Sequence, residues 1–207
     1  MAIVIAKKVL KKIEDIIIHH LGPKLCYSFG RDKLNLLNIK NYNVNEGDSV
    51  IFCFGEIDCR SHIYRYENNI LSAEEIIDNM IENYFLAIFE NISQFKYIKV
   101  FVYNVVPPAD ITKIMEDKDE IDKHVYTKIL HPNILKYPWQ GNNEDRKRYH
   151  LYFNKKVEEY CNKYNFIFFN VYNKYTDENG FLNSKFSDQN VHITDPIYLK
   201  EFLNTHN

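Results

Sequence analysis

Asp188 and His192 stand four residues apart in the polar stretch SDQNVHITDP. A carboxylate that close to an imidazole holds the ring in the tautomer whose free nitrogen accepts a proton, the chemistry of a general base. The same residue types are ordinary loop formers, Asp188 capping a turn and His192 lying beside it, and their spacing alone leaves both readings open. A second cluster follows the apolar run Val50–Phe54, where Gly55 ends the run and Glu56, Asp58 and Arg60 come at every second position. As a site, these charges line a ligand-binding edge; as structure, Asp58 and Arg60 form an ion pair at the top of a sheet. Gly30, in the segment FGRD, leaves a backbone N–H bare for an anion or simply makes a turn. Cys59, with no base beside it, reads as a small buried hydrophobe. His19 and His20 are adjacent and diverge on a helix, so no metal site is read there, and no cofactor is called for.

These residues need a scaffold that gathers them. A short apolar run stopped by glycine, as at Val50–Phe54, is the pattern of a central parallel strand buried on both faces, and ligands gather at the carboxyl ends of such strands. Strands are predicted at Ala2–Ala6, Leu25–Phe29, Ser49–Phe54, Tyr97–Tyr103 and Phe166–Asn170. The spacing of Val9, Leu10, Ile13, Ile16 and Ile17 predicts a helix over Lys7–His20, ended by Gly22 and Pro23. Ser72 with Glu75 makes a capping box ahead of the stripe Ile76, Ile77, Met80, Ile81, Tyr84, Phe85 and Ile88. A further helix over Asn143–Tyr164 turns Tyr149, Tyr152, Phe153, Val157 and Tyr160 inward, and a last one begins near Pro196. Turns are read at Asn45–Asp48 and Asp177–Gly180, and Ala109–Gln140 is a long connection over the carboxyl edge. Alternating βα units predict an α/β fold, a three-layer α/β/α sandwich with a central parallel sheet.

The chain of 207 residues suits one domain, residues 1–207. Lys and Arg total 26 against 28 Asp and Glu, so a formal net charge of −2 provides no basic field for nucleic acid. Cys26, Cys53, Cys59 and Cys161 form no CxxC pair, which fits a reduced, cytoplasmic chain. No apolar run approaches the roughly 20 residues of a membrane span, and the start has its lysines after its apolar stretch, opposite to a secretory signal.

Taken in order, HHLGPKLCYSFGRD, VIFCFGEIDCRSHI, VYNVVPP, GNNEDR and SDQNVHI resemble successive segments of a branch of the SGNH hydrolase superfamily, the GDSL-like esterases and lipases, whose third motif reads GEIDCR. The resemblance runs from about His19 to the last helix. It implies a flavodoxin-like sandwich and hydrolysis of carboxylic esters, often acyl or acetyl groups on glycans or lipids, with a small-molecule or glycan ester as the ligand. It implies His192 as general base, Asp188 as its orienting acid, Gly30 as an oxyanion-hole amide and Gly55 as the start of the third motif, where Glu56, Asp58 and Arg60 lie. Two positions depart from the family pattern. Ile57 stands where the usual Asn donor belongs, and Lys7 or Lys8 stands where the nucleophilic serine should follow the first strand; no serine occurs before Ser28. Either the nucleophile was lost or the first strand was replaced or truncated. The alternative to a hydrolase is a non-catalytic descendant that keeps the pocket for a ligand or partner.

Overall fold

Along strand β3 (Ser49–Phe52), successive side chains enter two different cores: Val50 and Phe52 pack on one face of the sheet and Ile51 on the other, all buried. That two-sided burial requires neighbours on both edges. In the computed structural model, which describes residues 2–3, 17–112, 141–188 and 191–206, β3 lies between β1 (Ala2–Ile3) and β4 (Lys99–Tyr103). Strands β2 (Ile17–Ile18) and β5 (Ile167–Phe169) complete a parallel sheet in the order β2-β1-β3-β4-β5. This is the doubly wound order whose ligands sit at the switch point between β1 and β3.

One face carries helices α1 (Cys26–Asp32), α3 (Ala73–Ile92) and α4 (Asn143–Tyr164); the short α2 (Ile63–Tyr66) leads into α3. Both long helices begin with a reciprocal cap. Ser72 Oγ accepts from Glu75 N while Glu75 accepts from Ser72 N, and Asn142 and Asp145 do the same. The other face is covered by α5 (Tyr172–Tyr175) and α6 (Ile197–His206), through Tyr175, Leu199 and Leu203. Phe202 stacks on Phe169 with ring centroids 4.1 Å apart. The expected sandwich with a parallel sheet is the observed one.

Two expected elements are replaced. The run Leu25–Phe29, expected as a strand, is helix α1, and the second strand is Ile17–Ile18, inside the expected helix Lys7–His20. Leu25–Phe29 is only five residues long, too short for periodicity to separate a buried strand from a buried helix. The remainder of the expected strand Ala2–Ala6 and helix Lys7–His20, and nearly all of the connection 109–140, lie outside the described residues.

Candidate functional site

The chain leaves β3 through Gly55, which is buried with φ at +110°. A Cβ there would stand 2.3 Å from the Phe153 ring of α4, so the turn needs a residue without a side chain on two counts. Glu56 and Ile57 then start a helical segment that widens into one turn of π-helix at Asp58–His62. Helical geometry places Glu56 and Arg60 on one side, and they pair at 2.7 Å. Of the two readings of these charges, the structural one, an Asp58–Arg60 pair, gives way to Glu56–Arg60.

Asp58 turns inward instead. It is 1% exposed and accepts from Cys26 N at 2.7 Å and Tyr27 N at 3.2 Å, capping α1 across 32 and 31 residues of chain. Burial raises its carboxyl to about 7 against the pull of those N–H donors. It is a framework group rather than a substrate contact. Cys59 beside it is buried, and burial followed by the Asp58 charge raises its thiol well above the ordinary value, the opposite of an activated nucleophile.

Gly30 also serves packing. It lies inside α1, where its N–H belongs to the helical ladder, and a Cβ there would meet Asn83 Cβ of α3 at 2.8 Å. The expectation of a bare amide failed because the element before it is a helix. The glycine that follows the second strand is Gly22, with φ at +74° and open space around its missing Cβ. The signal was present in LGP, a glycine before a proline, but it was read as a helix stop.

Asp188 and His192 come together. Nδ1 of His192 lies 2.5 Å from Asp188 Oδ2, and since a carboxylate only accepts, Nδ1 carries the hydrogen and Nε2 is left with its lone pair. The loop is tied twice more, by His192 N to Asp188 Oδ1 at 3.1 Å and Asp188 N to His192 O at 3.0 Å. Both side chains are more than a third exposed, at 36% and 39%, so the imidazole is open to an incoming molecule. Its place in the fold follows from α6. The far end of α6 receives Lys99 Nζ on the carbonyl of His206, and Lys99 is the first residue of β4; α6 thus runs antiparallel to the strands. The loop that precedes α6 accordingly stands at the carboxyl edge, the edge that Gly55 and Glu56 also occupy.

The loop after β4 borders the same edge and is held by buried side chains. Asn154 accepts from Val105 N at 2.8 Å and donates to Val105 O at 2.9 Å, His150 Nδ1 donates to Val106 O at 2.7 Å, and Asn104 accepts from Val171 N at 2.8 Å. Leu182 N reaches Pro108 O at 2.9 Å, tying this loop to the segment that leads to Asp188. These residues escaped sequence reasoning because their partners are distant backbone groups. Among the described residues no group of three or more His, Cys, Asp or Glu is placed to hold a metal.

The chain is similar to a GDSL-like lipase from Bacteroides thetaiotaomicron VPI-5482, with a TM-score of 0.60 and 17% identity over 92% of this chain and 74% of that one. The fold is that of the SGNH hydrolases. An acylhydrolase candidate from Bacteroides fragilis NCTC 9343 aligns at TM-score 0.56 and 14% identity over 92% and 73% of the two chains. A candidate platelet activating factor from Streptococcus pneumoniae aligns at 0.54 and 15% over 93% and 73%. No protein-family model and no curated protein matches the sequence. At such identities the likeness carries the SGNH fold and leaves the substrate open. Lys7 and Lys8, expected from the resemblance to stand where the nucleophile follows the first strand, lie outside the described residues. No helix among the described residues is long and apolar enough to cross a membrane.

Proposed function

We propose that this chain hydrolyses carboxylic esters, acyl or acetyl groups on a glycan or lipid-like molecule, with His192 as general base and Asp188 as its orienting acid. The 2.5 Å Asp188–His192 contact in an exposed loop at the carboxyl edge is the observation that carries this reading. With lysines in the serine's place, the nucleophile is water. His192 Nε2 takes a proton from the water as its oxygen attacks the ester carbonyl, and Asp188 stabilises the imidazolium. The tetrahedral intermediate then expels the alcohol, which takes that proton, and the acid is released. The amide of Gly22 replaces Gly30 as the oxyanion donor, and Ile57 offers none where the family pattern has Asn.

Losing a serine nucleophile costs on the order of 10⁶ in turnover, so the activity is slow. Four thiols that are free in the structure support a reducing, cytoplasmic setting. The test is turnover of p-nitrophenyl acetate. It falls by about 10²- to 10⁴-fold in His192→Ala, the usual contribution of a positioned base. Wild-type protein with no turnover above the His192→Ala variant would sink the hydrolase reading. The non-catalytic binder would then stand, a reading that Ile57, Lys7 and Lys8 favour.

A further inference from the structure

Tyr64, Tyr66, Ile70 and Leu71 are large apolar side chains left at the surface, and all four fall on the short stretch from α2 to the start of α3. Singly exposed apolar residues are ordinary, whereas a local concentration of them marks a contact surface. Ile70 is 93% exposed and Tyr66 56%. The turn is built to hold them outward. Asn68 Oδ1 accepts from Ile70 N at 2.8 Å and Leu71 N at 3.1 Å, and Asn68 N donates to Leu71 O at 3.0 Å. Asn68 Nδ2 donates to Tyr66 O at 3.0 Å. Behind the tip, Glu67 accepts from Arg148 at 2.8 Å and from the Tyr149 hydroxyl, both on α4.

The tip stands at the carboxyl edge of the sheet. Just past α3, Lys96 N donates to Glu46 at 2.8 Å, ahead of β3 and so at the amino edge. The start of α3, 20 residues and about 30 Å away, therefore lies at the opposite edge, with the Asp188–His192 loop. From the tip backwards the segment passes from aliphatic Ile70 and Leu71 to aromatic Tyr66 and then to charge, the order found across a membrane interface. Around the base, Arg65 and Arg148 offset Glu67 and Glu74, so a surface of neither sign is favoured. A second copy of the chain is the weaker occupant. These side chains offer at most about 500 Å², against about 800 Å² per partner in a stable interface. A projecting apolar tip also needs no matching pocket in lipid.

We propose that the turn from Tyr66 to Leu71 docks this chain on a phospholipid surface, with Ile70 and Leu71 entering the acyl layer and Tyr66 resting among the headgroups. Docking sets the carboxyl edge, and His192 with it, toward the bilayer. The lipid is the surface that is bound, not the ester that is cleaved, so the proposal stands apart from the hydrolase reading.

The test is flotation of the full chain with vesicles of phosphatidylcholine alone. Burying two aliphatic side chains gives half-binding in the millimolar lipid range, and because the surrounding charges cancel, binding persists at about 1 M salt. Ile70→Ser should keep the wild-type denaturation midpoint, since the side chain is in solvent, and raise the lipid needed for half-binding at least about tenfold. Leu86→Ser, at an exposed leucine further along α3, should leave binding unchanged. Wild-type protein that does not float, flotation abolished by salt, or an equal effect of the two substitutions would overturn the proposal. Sedimentation that finds a dimer dissociated by Ile70→Ser would overturn it too, by giving the tip to a second copy.

Discussion

Asp58→Asn separates two forces that act on one carboxyl. Burial raises Asp58 from the ordinary 3.8 to about 7, while its bonds to Cys26 N and Tyr27 N pull it down. Between those values the folded protein holds a proton that the unfolded chain has released. Stability therefore falls as pH rises, by about 1.4 kcal/mol per pH unit. Across roughly three units the loss is about 4 kcal/mol, a large part of the 5–15 kcal/mol that holds a typical domain. Asn carries no titrating proton and has no such slope, although its NH2 cannot accept from the second N–H and so costs about 1–3 kcal/mol at every pH. The variant should therefore start below wild type near pH 4 and gain about 4 kcal/mol on it by pH 7.5. Urea denaturation of both proteins at four pH values between 4.5 and 7.5 gives the difference directly. His150 makes the difference necessary. It is lowered to about 4, so the unfolded chain binds its proton first and the wild-type curve gains stability from about pH 4 to 6.5, masking the Asp58 slope. A difference that stays flat, or that turns against the variant as pH rises, would show that the two N–H bonds outweigh burial and that the reasoning fails.

Gly55→Ala should cost about 4 kcal/mol, combining a positive-φ alanine at roughly 1–3 with overpacking at roughly 1–3. Phe153→Leu in the same chain should recover the packing part alone, because the Phe153 ring is the neighbour that a Cβ strikes at 2.3 Å. Gly30→Ala would normally gain about 1 kcal/mol inside a helix. Here it should lower the melting temperature, since its methyl would meet Asn83 Cβ at 2.8 Å, and a rise would mean that α1 and α3 can separate. A fluorophosphonate probe should leave the chain unlabelled; mass spectrometry that finds an adduct on a serine beside His192 would restore a serine nucleophile.

Periodicity located the helices that bury one clear stripe. Ser72 and Glu75 marked the start of α3 because both halves of the cap lie within four residues, and the strand Val50–Phe54 was legible because apolar residues filled both faces. Leu25–Phe29 failed for lack of length, and it took Gly30 with it. The pairing of Arg60 failed for a different reason: read as a turn, the segment put Asp58 nearest, while as a helix it puts Glu56 one turn away. Asp58's true partners sit 31 and 32 residues back, and no local pattern reports a contact at that range. Within the site, the Asp188–His192 spacing was visible in the sequence, but the buried clasp of Asn104, His150 and Asn154 exists only once α4 lies against β4.

The π turn at Asp58–His62 bears on how this chain can change over generations. A π turn is an α-helix with one residue added. The widened turn absorbs that residue locally, since five residues of π turn sweep about the angle of four in a regular helix, and the two flanks keep their facing. Asp58 on one flank reaches the start of α1, and Ile63 on the other is 1% exposed in the core. Descendants and cousins of this sequence could therefore drop one residue between these two anchors and keep both in place.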